Sequence, residues 1–202
     1  MEGSDFNLDY QNRNLDSRIV AALERVAQAF KTLLWQEGKE YSLSPIQIQL
    51  LIFLLFHPGE KCKISYLAGE FNLTKATISE AIKALEQKKL IRKVPETADT
   101  RSYTIILTDA GQETAEKVSY FSKSMLAPLM KMSVEEKGKF LYQLMQIIRH
   151  LHDTGIITIQ RMCFNCVHYR SIELTKTHFC ALLKQPLRED QLRIDCPEHV
   201  LV

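Results

Sequence analysis

The sequence predicts a mainly α-helical chain. Long amphipathic helices flank a unit made of a short helix, a turn, a second helix and a β-hairpin, and a small cysteine-rich segment closes the C-terminal end. Three observations carry this prediction. Apolar residues recur at spacings of three and four over long stretches, the signature of one-sided helices. Only 7 Gly and 6 Pro punctuate 202 residues, too few for a sandwich of many short turns. Four of the 5 cysteines fall between Cys163 and Cys196, which marks the end of the chain as a separate chemical unit. At roughly 150 residues per domain the length suits one domain with an appendage or two small ones. The expected boundaries are a flexible N-terminus at 1–14, a helical core at 15–152 and a cysteine-rich tail at 153–202.

From Leu15 to Gln36 the residues Leu15, Ile19, Leu23, Val26, Phe30, Leu33 and Leu34 form one stripe, and Gly38 is expected to end that helix. Ser44-Pro45-Ile46-Gln47 reads as an N-cap, a first-turn proline and a capping-box glutamine, opening a helix to about Phe56 that His57-Pro58-Gly59 stops. That helix is apolar nearly all round, which places it at the centre of a core. Ile64, Leu67, Ala68 and Phe71 give a short helix, and Asn72-Leu73-Thr74 resets the phase with a cap-type residue. The next helix packs Ile78, Ile82 and Leu85 inward and leaves Lys75, Thr77, Ser79 and Lys83 for solvent or a ligand. This is a helix-turn-helix pattern.

Leu90–Val94 and Tyr103–Leu107 are β-capable runs around a polar stretch, so a hairpin follows. Thr108 is placed to cap one more long helix carrying Val118, Phe121, Met125, Leu126 and Leu129, with Pro128 ending or kinking it. Ser133-Val134-Glu135-Glu136 is a second capping box, and Phe140, Leu141, Leu144, Met145, Ile148 and Leu151 line the helix after it.

Composition narrows the function classes. Hydrophobic residues make up 46%, enough for a buried core, and the formal charge of +2 is too small for a bulk polyelectrolyte effect. The first ten residues lack the basic-then-apolar order of a secretory signal, and the longest apolar run, Leu50 to Phe56, is far too short to span a bilayer. A cytoplasmic protein with no membrane partner is expected. No phosphate-binding loop, paired nucleophile and base or open metal site is recognisable, so catalysis is not expected. Charge is local instead: between Lys61 and Arg101 nine basic residues face five acidic ones. Such a basic patch is the electrostatic footprint of a nucleic-acid-binding module.

Helix-turn-helix and hairpin together, with Ala84-Leu85 through Arg92-Lys93, then Asp99-Thr100-Arg101, then Leu107-Thr108-Asp109-Ala110-Gly111, resemble the MarR family of winged helix-turn-helix regulators over about Leu15 to Leu151. The resemblance implies a homodimeric transcriptional regulator, a repressor in first expectation, on a pseudo-palindromic site in double-stranded DNA. Its first and last long core helices would intertwine with a second copy, and a small-molecule effector would shift the spacing of the two reading helices. It assigns DNA contact to Thr74, Lys75, Thr77, Ser79, Lys83 and Arg92, a minor-groove role to Arg101 and the orienting of that arginine to Asp99. Glu80 departs from the pattern, standing where many relatives carry a basic residue. It either accepts from a cytosine amino group or repels phosphate. Phe30, Trp35, Phe121 and Met125 read as dimer core. A protein-interaction adaptor on the same scaffold is the alternative.

In the tail, Cys163, Cys166, Cys180 and Cys196 form a four-thiol set in which the first pair has chelating spacing and the second is split. The expectation is a closed structural Zn(II) site. The alternatives are an iron-sulfur cluster or a bare thiol switch, either of which would make the chain a redox sensor. His168, His178 and His199 could substitute as ligands, and Cys62 reads as a small buried hydrophobe.

Overall fold

The computed structural model describes residues 3–57, 59–95, 103–172 and 177–202. Its contacts gather into two compact units, one from Met1–Lys63 with Glu80–Ser124, the other from Ile64–Ser79 with Met125–Val202.

In the first unit, α1 (Leu8–Arg13) is capped by the Asn7 side chain, which accepts from the Tyr10 amide. The Ser17 hydroxyl donates to the Asp5 carboxylate at 2.7 Å. The following helix, α2 (Leu15–Tyr41), runs through Gly38 instead of ending there. A Cβ on Gly38 would lie 2.3 Å from the Leu43 carbonyl oxygen, so this glycine serves the close return of the chain. The helix stops at Ser42, which takes the left-handed conformation at φ 54°, and the Leu43 amide donates back to the Gly38 carbonyl. α3 (Pro45–Phe56) starts as expected, with the Ser44 amide donating to Gln47 Oε1 at 3.1 Å. Ile48, Leu50 and Leu51 are fully buried, and α3 packs against α2 and α6 (Asp109–Val118).

α5 (Lys75–Gln87) contributes residues to both units. After it, β1 (Ile91–Pro95) and β2 (Tyr103–Leu107) pair antiparallel, Ile91 opposite Leu107 and Pro95 opposite Tyr103. The hairpin tip, with Asp99 and Arg101, lies outside the described residues. Thr108 caps α6: its hydroxyl accepts from the Gly111 amide at 3.0 Å and donates to the Lys89 carbonyl at 2.7 Å. The single long helix expected after Thr108 is broken. α6 ends at Val118, and the Ser119 hydroxyl donates to the Glu116 carbonyl at 2.7 Å.

The second unit holds α4 (Ile64–Glu70), the turn into α5, α7 (Leu126–Leu129) and α8 (Val134–Asp153). Pro128 lies inside the four-residue α7, where the missing amide keeps the helix short. The capping box of α8 is present, the Glu136 amide donating to Ser133 Oγ and the Ser133 amide to Glu136 Oε2. The tail forms a small antiparallel sheet in the order β3 (Tyr169–Ile172), β4 (Thr177–Cys180), β5 (Gln185–Leu187). Its core joins Met145 of α8 to Met162, Phe164, Leu187 and Leu192. Side chains of this size each stabilise by roughly 1.5–3 kcal/mol when fully buried, so the tail is anchored on α8 by apolar packing.

Candidate nucleic-acid interface and thiol cluster

The polar front of α5 follows from its sequence. Ile78, Ile82 and Leu85 are fully buried, and this inward row turns Thr74, Lys75, Thr77 and Lys83 outward, where all four are exposed. The Thr74 hydroxyl accepts from the Thr77 amide at 3.1 Å, acting as N-cap, and lies 2.9 Å from the Thr77 hydroxyl. Ser79 is half-buried and its hydroxyl donates to the Lys75 carbonyl at 2.7 Å, so it is the least available of the set. Glu80 is exposed beside it. On β1, Arg92 is exposed, while Lys93 pairs with Glu86 at 2.8 Å and stands 5.2 Å from the Tyr103 ring centre. Among the basic residues expected at this face, Lys75, Lys83 and Arg92 are exposed, while Lys93 is paired with Glu86. A helix start with short hydroxyl side chains and a flanking lysine suits approach to phosphate and base edges.

The tail brings its four thiols to one place. Cys163 and Cys166 bracket a tight turn closed by the Cys166 amide on the Cys163 carbonyl at 3.1 Å. Cys180 ends β4 opposite Tyr169, and Cys196 follows Asp195 in the last loop. All four line a single cavity of about 310 Å³ together with Arg193. The Arg193 amide donates to Cys163 Sγ at 3.3 Å and its guanidinium to Cys196 Sγ at 3.4 Å. Burial pushes the Cys163 thiol up, the Arg193 amide opposes this, and the charges of Cys196, Cys180 and Cys166 add to the rise. None of the five cysteines is in a disulfide. Among the described residues, no three His, Cys, Asp or Glu side chains stand together as a metal-holding group. Of the possible substitute ligands, His178 is buried with Nδ1 2.7 Å from the Tyr169 hydroxyl, and His199 Nε2 lies 3.1 Å from Asn165 Oδ1. Cys62 is buried, as expected, its thiol directed at the His57 carbonyl.

Sequence reasoning missed the polar hub that joins tail and helix-turn-helix within the second unit. Arg161, 8% exposed, donates through Nε and Nη2 to the Asp195 carboxylate at 2.7 and 2.8 Å. Its Nη1 and Nη2 reach the Glu70 carboxylate at 2.5 and 3.0 Å, and Nη1 also donates to the Tyr66 hydroxyl at 2.9 Å. The two carboxylates hold the guanidinium firmly protonated. Close by in the chain, the Thr158 hydroxyl donates to the Gly69 carbonyl at 2.7 Å and the Thr158 amide to Asn72 Oδ1 at 3.1 Å. No local pattern marks these residues, since Arg161 stands 91 positions from Glu70.

A family profile described as MarR family matches residues 41–102. None of the curated proteins compared matches the chain. Among solved structures, the MepR-DNA complex of S. aureus is similar over 65% of this chain and 97% of its own, at 23% identity and a TM-score of 0.59. AbsC, a MarR family transcriptional regulator from Streptomyces coelicolor, is similar over 69% of this chain and 96% of its own, at 20% identity and 0.59. A putative MarR family regulator from Listeria monocytogenes, complexed with 26mer DNA, covers 68% of this chain and 91% of its own, at 20% identity and 0.60. The chain thus has the MarR winged-helix fold, and about a third of it lies outside each of these alignments.

Proposed function

We propose that this chain is a sequence-specific DNA-binding transcriptional regulator, a repressor that acts in the cytoplasm as a homodimer on a pseudo-palindromic operator. One observation carries the reading: α5 buries Ile78, Ile82 and Leu85 and presents Thr74, Lys75, Thr77 and Lys83 outward. The presence of DNA in two of the similar structures supports it. In this reading the α5 N-terminus enters the major groove, where Thr74, Thr77 and Ser79 approach base edges and Lys75 and Lys83 neutralise phosphate. Arg92 adds a backbone contact from β1. The resemblance assigns the neighbouring minor groove to Arg101 and its orienting to Asp99, both outside the described residues.

The dimer is supported by Leu15, Ile19 and Val26, exposed apolar residues that fall on one stripe of α2. Two copies would read half-sites about one helical turn apart, so a small effector need change their spacing only slightly to release DNA. No helix among the described residues is long and apolar enough to cross a membrane.

The test is retention of the purified chain on duplex DNA across a salt series. A regulator of this kind is retained at low salt, released as salt rises, and loses most of its affinity in Arg101→Ala. Absence of retention, or retention indifferent to salt, overturns the reading and leaves a protein-interaction scaffold.

A further inference from the structure

We propose that Cys163, Cys166, Cys180 and Cys196 bind one thiophilic divalent cation, zinc, in a closed structural centre that braces the helix-turn-helix through Asp195, Arg161 and Glu70. The fold gathers four soft donors around one cavity. Four sulfurs come from three separate places, a turn, a strand end and a loop, and face one cavity of about 310 Å³. A set gathered from distant segments fixes all of them once an ion is bound, and a small loop-rich module gains most from that constraint. No three of the sulfurs stand together as a metal-holding group in this structure, so binding requires them to move inward.

The donor chemistry selects the ion. Sulfur ligands are soft, and four thiolates in a tetrahedral arrangement suit zinc, whereas calcium and magnesium require oxygen. Four thiolates around a divalent cation leave a net charge of −2. Arg193 is built to answer it, with its amide on Cys163 Sγ and its guanidinium on Cys196 Sγ. Amide and guanidinium donors aimed at sulfur hold thiolate ligands in place as outer partners of a metal. With every ligand position filled by protein there is no open site, hence no catalytic role.

The link to the helix-turn-helix is direct. Asp195 adjoins Cys196, and the Cys196 amide donates to the Arg161 carbonyl at 3.0 Å. The Arg161 side chain then clasps Asp195 on one side and Glu70 at the end of α4 on the other. Thr158 adds bonds to Gly69 in the last turn of α4 and to Asn72 in the turn after it. Loss of the cation frees Cys196, loosens Asp195 and lets the turn that aims the first residues of α5 relax. This second half rests on the proposed DNA-binding function; the metal site does not.

The experiment uses the full chain. Elemental analysis of the purified protein should give one zinc per chain. Replacement by Co(II) should give the thiolate-to-cobalt absorption of a tetrahedral sulfur site. Cys180→Ser should abolish both, while Cys62→Ala keeps them. Reversible removal of zinc by a chelator, which does not depend on a variant folding, should weaken binding to a mixed-sequence duplex at least tenfold, and added Zn(II) should restore it. A chain without metal and with all thiols reactive, or a brown chain holding iron and sulfide, overturns the zinc site even if it binds DNA. A zinc-loaded chain whose DNA affinity ignores the chelator overturns the bracing. A zinc-loaded chain with no affinity for DNA overturns the regulator reading and upholds the metal site.

Discussion

Arg161 and Glu70 face each other through two parallel hydrogen bonds of 2.5 and 3.0 Å, joining the tail to the end of α4. The same guanidinium is forked onto Asp195, so one buried cation satisfies two carboxylates. Removing it as Arg161→Met strands Glu70, whose side chain is only 17% exposed, without its partner. Breaking a buried pair costs about 3–5 kcal/mol, and Asp195, which is partly in water, lowers the expected loss to about 2–4 kcal/mol in chemical denaturation. Arg161→Lys should recover little, because an ammonium cannot reproduce the planar fork. A loss within about 0.5 kcal/mol, the size of an ordinary surface substitution, would mean the hub does not hold the unit together.

Gly111 explains part of the signature Leu107-Thr108-Asp109-Ala110-Gly111. A Cβ there would stand 1.7 Å from the Leu90 carbonyl oxygen, inside van der Waals contact with backbone that cannot swing aside. The glycine lets α6 start directly against the chain leading into β1, where Thr108 caps the helix and holds Lys89. Gly111→Ala should destabilise the chain by about 3 kcal/mol or more, since overpacking against backbone has no cheap relaxation. Gly155→Ala has open space around it and tests only the left-handed φ of 76°, so it should cost about 1 kcal/mol. Comparing the two melting curves separates steric from conformational demand.

Charge at the proposed interface predicts how binding responds to salt. Each phosphate contact removed lowers the slope of log affinity against log salt by about 1. Lys75→Ala and Arg92→Ala should each do so and weaken binding about equally on all sequences. Thr77→Ala should leave the slope unchanged and blur preference at one position. Glu80→Gln should strengthen binding without altering sequence preference, as expected for an exposed carboxylate that repels phosphate. A change of preferred base in that variant would instead make Glu80 a reader of cytosine.

Local rules made much of this fold legible. The Ser44 and Ser133 capping boxes, the Thr74 and Thr108 caps and the buried row Ile78, Ile82 and Leu85 all stand where spacing and propensity placed them. The misreadings share one cause, a periodic signal overruled by a backbone turn that spacing does not show. Gly38 looked like a helix end because glycine disfavours helix, but the return of Leu43 demands a missing side chain within the helix. The apolar residues from Val118 to Leu129 keep helical spacing, yet the helix ends at Val118. In the site, the side chains of α5 were readable as a helix face. The sheet β3 to β5 and the Arg161 hub were not, because cross-strand pairing and ion pairs between residues far apart leave no periodic trace.

The exposed row on α2 gives the most direct test of assembly. Leu15 is 61% exposed and Val26 44%, and Ile19, 46% exposed, lies between them on the same stripe of α2. Apolar side chains left in water are costly, and burying each against a second copy returns roughly 1.5–3 kcal/mol. Ile19→Glu puts a charge into that contact without touching α3 or α5, so the folded monomer should survive while association is lost. Light scattering coupled to gel filtration should show the wild-type chain at twice its 23.3 kDa mass and the variant at a single mass. DNA affinity should fall with it, because two half-sites engaged at once gain from effective concentration and one alone does not. A variant that stays dimeric would move the subunit contact away from α2, and a wild-type chain of single mass would remove the symmetric operator from the proposal.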